Sequence, residues 1–230
     1  MRRVDLLETL AARIDAVVRP HPLRVAIDGV DGAGKTVLAD ALVAPLGQRG
    51  RPVIRAGIDG FHRPRRERLA RGAESAAGYY HDSFDHEALR AALLDPLGPD
   101  GSRRYRRACF DYRSDRPLAP PLEIADPRAV LLFDGVFLQR PELRDGWDLV
   151  VFVHAPFEVS AARARARDLS ARPDVAAERG EAARRRLERE IERRYAVRYV
   201  PGQELYLDAC RPRERADLVV VNTDPAAPEL

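Results

Sequence analysis

A glycine-rich segment with one lysine is the clearest chemical feature of this 230-residue chain. Residues 27–36 read IDGVDGAGKT, which fits the P-loop pattern Gly-x4-Gly-Lys-Thr. In such a loop, glycines let backbone N–H groups point at phosphate oxygens. The lysine would reach the β- and γ-phosphates of a nucleotide, and the threonine hydroxyl would bind Mg²⁺. The residues predicted to bind the nucleotide are therefore Gly29, Val30, Asp31, Gly32, Ala33, Gly34, Lys35 and Thr36.

The use of lysine elsewhere in the chain supports this interpretation. Lys35 is the only lysine among the 39 basic residues, and all the others are arginines. A chain that uses arginine so generally keeps lysine where a compact ammonium on a flexible stem is needed. The lysine of residues 27–36 is therefore predicted to be chemically specific.

Three predicted strands end in Asp-Gly, with the aspartates Asp28, Asp59 and Asp134. Ligands of open parallel sheets bind beyond the carboxyl ends of the strands, so these acids are expected to lie near a bound phosphate. Phosphoryl transfer needs a group that accepts or orients the acceptor's proton, and Asp59 is the candidate base. Asp134 follows an apolar strand and is predicted to hold magnesium, with Thr36 and Asp59.

Positive charge for the transition state is predicted to come from an arginine helix, RARARD, through Arg163 and Arg167. The alternative is a solvated helix face, and it suits the arginines further along the chain better. There, Glu181 with Arg185 and Glu190 with Arg194 are i,i+4 pairs that stabilise an exposed helix without any catalytic role.

The elements that must position these residues follow from the hydrophobic pattern. Strands are predicted at 23–28, 51–59, 129–134, 149–154 and 216–222, with helices between them and a strand or hairpin arm at 103–112. Strands alternating with helices indicate a doubly wound α/β domain with a mostly parallel sheet and helices on both faces. We predict one domain over 1–230, with an acceptor-binding insertion at about 60–125 and an arginine-rich lid at about 157–200.

Composition narrows the function classes. The net charge of +3 comes from 39 basic and 36 acidic residues that are interleaved, which argues against a dedicated nucleic-acid binder. No apolar stretch approaches the ~20 residues of a membrane span. Leu6, Leu10 and Ile14 recur at helical spacing, so the N-terminus is predicted to be an amphipathic helix rather than a signal peptide. With two cysteines and no export signal, a cytoplasmic location is expected, and His21 is expected at the surface.

Beyond the P-loop, four segments resemble the uridine kinase and phosphoribulokinase group of P-loop kinases, most closely the uridine–cytidine kinases. They are IDGFHRP (58–64), SFDHEALR (83–90), LLFDGVF (131–137) and RARARD (163–168). The likeness runs from about residue 23 to 222. It implies that Asp59 is the catalytic base, that Asp85 holds ribose hydroxyls, that Asp134 binds magnesium and that Arg163 and Arg167 bind phosphates. It leaves Asp28 without a role.

The segment FDYRSDR (110–116) departs from that group. Phe110, Tyr112 and Arg116 match its substrate-binding pattern, but Asp115 stands where the group has a base-reading histidine. The loop VDGAGKT also resembles thymidylate kinases. Those carry Asp-Arg-Tyr or Asp-Arg-His after the third strand, where this chain has Asp134-Gly135-Val136. A nucleoside monophosphate is therefore disfavoured as the acceptor.

The resemblance implies a kinase that uses ATP and Mg²⁺, with GTP left open. Its predicted acceptor is the 5′-hydroxyl of uridine or cytidine, bound by Asp85, Phe110, Tyr112, Arg116, Tyr80 and His62. Pantothenate, nicotinamide riboside or a sugar are alternative acceptors. Two further alternatives are a nucleotide-binding regulator with little catalysis and a nucleic-acid binder that uses the arginines at 63–68. No membrane partner is expected, and a homo-oligomer is left open.

Overall fold

The computed structural model describes residues 2–230, and for 173–179 the backbone alone. Among the described residues, none of the helices is both long and apolar enough to span a membrane. The helices are α1 (Arg3–Asp15), α2 (Lys35–Ala41), α3 (Val43–Gln48), α4 (Arg65–Arg68), α5 (Ala76–Asp82), α6 (His86–Leu89), α7 (Phe157–Ser170), α8 (Pro173–Arg194), α9 (Val200–Cys210) and α10 (Pro212–Arg215).

The central sheet has five parallel strands, each of which the sequence predicts. They are β1 (Leu23–Gly29), β2 (Val53–Gly57), β7 (Val130–Gly135), β8 (Leu149–His154) and β9 (Leu218–Val221). Their order across the sheet is β2-β7-β1-β8-β9. The chain leaves β1 toward one edge and returns to β8 on its other side, which makes the end of β1 a topological switch point. The predicted α/β fold is confirmed.

Alternate residues of the central strands face opposite cores, because successive side chains of a strand point to opposite faces. On one face Val25, Ile27 and Leu132 pack with α1, α2 and α3. On the other, Ala26 and Phe133 pack with aromatic side chains of α5 and α9. Both faces are therefore covered, which is why these strands are nearly continuous apolar runs.

Four short strands lie between β2 and β7 along the chain. They are β3 (Arg104–Tyr105), β4 (Phe110–Asp111), β5 (Arg116–Pro117) and β6 (Glu123–Ile124). β3 pairs with β6 and β4 with β5, both antiparallel. The single strand arm predicted over 103–112 is therefore two separate strands. The assignment of about 60–125 to acceptor binding and of about 157–200 to a lid stays a prediction.

A buried ion pair anchors the start of β1. The Arg24 guanidinium donates from Nε and Nη2 to the Asp148 carboxylate, each at 3.0 Å, and both side chains are less than a tenth exposed. His21 lies beside them, with Nε2 at 3.8 Å from Asp148 Oδ1. The prediction that His21 lies at the surface is wrong, because the ring is buried beside Asp148 and the Pro22 carbonyl.

Removing Asp148 tests this anchor. In Asp148→Ala the Arg24 guanidinium stays buried without its counter-charge, so we expect unfolding to become easier by about 3–5 kcal/mol. Glu181→Ala removes an exposed i,i+4 partner of Arg185 and should cost less than about 1 kcal/mol. Urea denaturation of both variants measures this, and equal losses would contradict the assignment.

Candidate functional site

The glycine loop between β1 and α2 is fixed by close packing. Gly32 and Gly34 have φ of +74° and +101°, a region that side chains disfavour. A Cβ on Gly32 would clash with the backbone oxygen of Ser160 in α7, and one on Gly34 with the Asn222 amide. Asn222 in turn donates from Nδ2 to the Ala33 oxygen at 2.7 Å. The loop is therefore held between α7 and the end of β9.

Lys35 and Thr36 open α2 directly below this loop. The buried Lys35 ammonium donates to the Val30 carbonyl at 2.8 Å. Burial lowers its pKa, and the carboxylates of Asp31, Asp28 and Asp134 oppose that change. The Thr36 hydroxyl donates to Asp134 Oδ2 at 2.5 Å. The loop and the end of β7 thus present a hydroxyl and a carboxylate side by side.

The three strand-end aspartates lie in different environments. Asp28 is fully buried and accepts hydrogen bonds from Tyr206 and Gln139. Burial raises its pKa, and those two hydrogen bonds oppose the rise. Asp59 and Asp134 instead line one cavity. Asp28 is therefore part of the core, in line with the resemblance that gives it no role.

Asp59 lies just past the end of β2 rather than within it. The strand ends at Gly57, and a 3₁₀ turn over Ile58–Phe61 carries Asp59 into the cavity. His62 follows, with Nδ1 at 3.0 Å from the Asp59 carbonyl oxygen and 4.0 Å from its Oδ1. Because a carbonyl only accepts, Nδ1 carries the proton. Phe84 and Tyr112 flank the imidazole, with centroids 4.6 and 4.9 Å away.

The surroundings of the cavity shift the pKa values of Asp59 and His62 in opposite directions. Burial raises the pKa of Asp59; a protonated His62 would oppose the rise, and the charges of Asp31 and Asp134 add to it. The Asp59 side chain is nevertheless 71% exposed, because it faces the open space that the walls enclose. Burial lowers the pKa of His62, so the ring is neutral near pH 7 with Nε2 unprotonated.

Arg163 and Arg167 of α7 both line the α7 side of the cavity at the loop, but they make different contacts. Arg163 donates to the carbonyl oxygens of Asn222 and Thr223 at 2.8 and 2.7 Å. Arg167 donates to Asp168 and lies above Lys35 and Thr36, where it lines both neighbouring cavities. Arg163 therefore fastens α7 to the segment after β9, whereas Arg167 is placed over the loop.

Two cavities meet at the glycine loop and share Lys35, Thr36 and Arg167. One, which we term the α1 cavity, has a volume of about 510 Å³ and extends from the loop toward α1 and Pro225. The other, the Asp59 cavity, has a volume of about 870 Å³ and extends between β2, α5 and the aromatic residues after α8. A group bound at the loop would be reached from both sides.

Only two of the six predicted substrate-binding residues line a cavity at the site. His62 and Tyr112 line the Asp59 cavity, whereas Tyr80, Asp85, Phe110 and Arg116 line neither cavity. Asp85 caps α6 by accepting from the Ala88 N–H. Asp115 accepts from the backbone N–H of Arg65 at 2.8 Å. Its carboxylate is therefore used to hold the segment at α4.

Arg55 is a site residue that the motifs did not indicate. From β2 it donates to Asp134 Oδ1 at 2.9 Å and to Asp40 Oδ1 at 2.9 Å, and it lines the Asp59 cavity. The available signal was a charged residue inside the short strand Val53–Gly57.

Asp31 in the glycine loop is held by residues far away in the sequence. Its carboxylate accepts from the Tyr79 hydroxyl, and its backbone N–H donates to Gln203.

Comparison with known proteins agrees with this architecture. No protein-family model matches the chain. The uridine kinase of Ligilactobacillus salivarius is 25% identical over 158 residues, which are 66% of this chain and 68% of that protein. The structure of a possible uridine kinase from Bacillus stearothermophilus superposes with a TM-score of 0.70 at 24% identity, covering 94% of this chain and 97% of that one. A provisionally named fructose transport system kinase from Silicibacter gives 0.70 at 24% identity, covering 95% and 98%.

The two structures show the fold, an α/β fold that this chain shares with them. The sequence match adds that the chain is a distant homologue of uridine kinases. The resemblance to the uridine kinase and phosphoribulokinase group is thereby confirmed.

The packing of the loop predicts the effect of a single methyl group. In Gly32→Ala the new Cβ meets the Ser160 oxygen at a positive φ, so we expect a loss of more than about 1 kcal/mol in stability. Gly47→Ala places a methyl group in open space within α3 and should be neutral or stabilising by up to about 1 kcal/mol. Thermal unfolding of both variants checks this. Equal melting temperatures would show that α7 does not confine the loop.

Proposed function

We propose that the protein is a kinase that transfers the γ-phosphate of ATP to a primary hydroxyl of a small molecule. The observation that carries this proposal is the meeting of two cavities at Lys35, Thr36 and Arg167. The α1 cavity takes the nucleotide and the Asp59 cavity takes the acceptor. The γ-phosphate then lies at the junction, within reach of a hydroxyl that enters from the other side.

The charges at the junction suit the transfer. Backbone N–H groups of the loop and the start of α2 bind the phosphates. Lys35 and Arg167 offset the charge that develops on the transferring group. Asp59, on the acceptor side, accepts the hydroxyl proton. His62 Nε2 is an available hydrogen-bond acceptor for a second hydroxyl of the substrate.

The Thr36 hydroxyl and the Asp134 carboxylate are suitable ligands for Mg²⁺. Among residues 2–230 as described, no three His, Cys, Asp or Glu side chains cluster as a metal site. Mg²⁺ commonly keeps several waters and binds through one or two carboxylates plus substrate phosphates. The Thr36 hydroxyl and the Asp134 carboxylate, 2.5 Å apart, would hold it in that way. When bound, Mg²⁺ would neutralise charge on the phosphate oxygens. A metal contact from Asp59 stays a prediction.

Two classes of acceptor are supported by different observations. Uridine and cytidine are supported by the homology to uridine kinases. A smaller polyol, sugar or hydroxy acid is supported by the cavity itself, because four of the six predicted nucleoside-binding residues lie outside it and Asp115 is engaged with Arg65. ATP consumption measured with uridine, cytidine, pantothenate, nicotinamide riboside, simple sugars and hydroxy acids decides between the classes. No turnover with any of them would contradict the acceptor assignment.

Replacing the proposed base should separate chemistry from binding. In Asp59→Asn we expect kcat to fall by about 10²–10⁴-fold, because the amide cannot accept the proton, while the Kd of ATP stays unchanged. Asp208→Asn, on the exposed face of α9, is the matched control and should keep full activity. Steady-state kinetics on the substrate found above provide the measurement. An Asp59→Asn enzyme with wild-type kcat would exclude Asp59 as the base.

The pH profile provides an independent test. Asp59 acts only when ionised, and burial raises its pKa above the ordinary carboxylate value. As the pH falls, kcat/KM should therefore decline through a pKa higher than that of an exposed aspartate. The residual activity of Asp59→Asn should lack this decline. If the variant keeps the same acid limb, another group is responsible for it.

A further inference from the structure

The α1 cavity has two chemically distinct ends. At the loop end it is lined by Gly32, Gly34, Lys35 and Thr36. At the far end its walls are mostly apolar, and they comprise Leu6, Leu7, Val37, Leu38, Pro225 and Pro228. The volume of about 510 Å³ lies within the range of small-molecule sites. A phosphate-binding end joined to an apolar end matches the two halves of a nucleotide.

Four of these six far-end residues lie outside the region of family resemblance, which runs from about residue 23 to 222, whereas Val37 and Leu38 belong to α2. α1 (Arg3–Asp15) precedes that region, and Pro225 and Pro228 follow it. Residues from the two ends of the chain therefore meet at this end of the cavity only in the folded structure.

Several polar groups near this end are already engaged with the backbone. Arg163 donates to the Asn222 and Thr223 carbonyls, and Asn222 Nδ2 donates to the Ala33 oxygen. These bonds fix the segment that leads from β9 to Pro225. They leave burial against apolar walls as the main source of binding energy for a flat ring.

Arg3 differs from the arginine beside it. Arg2 is paired with Asp5 at 2.9 Å, outside the cavity. Arg3 is half-buried, lines the cavity and has no ion pair or side-chain hydrogen bond among the described contacts. A guanidinium stacks favourably on the face of an aromatic ring, so a purine in the cavity would give Arg3 the partner it lacks.

We propose that the first two turns of α1 complete the nucleobase site, with Leu7 packing against the base and Arg3 stacking on it. This inference rests on the proposed function, since it assumes that the loop binds ATP. In this proposal α1 binds the nucleobase, whereas the glycine loop binds only the phosphates. Arg3 and Leu7 act on affinity for the base and have no part in phosphoryl transfer.

The test compares MgATP with magnesium tripolyphosphate, which carries the phosphates without the nucleoside. Isothermal titration is done on the full chain and on Arg3→Ala and Leu7→Ala. Each variant should weaken MgATP binding by about three- to tenfold and leave tripolyphosphate binding unchanged. Val4→Ala is the matched control, because Val4 is 55% exposed on another face of α1 and should bind both probes like the wild type. Thermal unfolding verifies that each variant is folded, and Arg3→Ala keeps the test valid if Leu7→Ala is unstable.

The outcomes separate the two proposals. Wild-type affinity for MgATP in both folded variants, or an equal loss for both probes, would overturn the role of α1 while leaving the kinase proposal intact. Wild-type protein that binds tripolyphosphate as tightly as MgATP would do the same. Protein that binds neither probe would overturn the proposed function together with this inference.

Discussion

The close packing of the glycine loop is the constraint on which the rest of the site depends. Gly32 and Gly34 adopt positive φ with no room for a side chain, because the Ser160 backbone and the Asn222 amide lie against them. The loop conformation is thus imposed by α7 and by the end of β9 as well as by its own glycines. Any movement of α7 would move the loop, Arg167 and the junction of the two cavities together.

Burial decides which of three similar Asp-Gly pairs is available for chemistry. Asp28 lies near the end of the central strand β1, which has β7 on one side and β8 on the other. Its buried carboxylate accepts hydrogen bonds from Tyr206 and Gln139. Asp134 ends β7 and is turned to Thr36 and Arg55. Asp59 lies past the edge strand β2 on a 3₁₀ turn, where its side chain is exposed to the cavity. Position in the sheet, rather than the dipeptide, sets the environment of each acid.

Local patterns in the sequence predicted the parallel strands, the P-loop and the convergence of Asp59 with Asp134, because each depends on periodicity or on strand ends. The same reasoning missed Arg55, whose role requires β2 and β7 to be neighbours, and the link from Asp31 to Gln203, which joins positions far apart in the chain. It also placed His21 at the surface, whereas the ring is buried beside Asp148. Contacts between distant segments leave no local pattern to detect.

The two ends of the site differ in how the chain builds them. The phosphate end uses backbone N–H groups, one lysine and one hydroxyl, a set that fits any nucleoside triphosphate. The outer ends use side chains that belong to this sequence: α1 and the C-terminal prolines on one side, and Arg55, His62 and Tyr112 on the other. With Asp115 bound to Arg65, the acceptor end presents a neutral imidazole between two aromatic rings beside Asp59. In the proposed kinase, such a surface would contact hydroxyl groups and a flat or compact apolar face of the acceptor. Homology to uridine kinases supports the proposed phosphoryl transfer, whereas the acceptor of the proposed kinase depends on these outer residues.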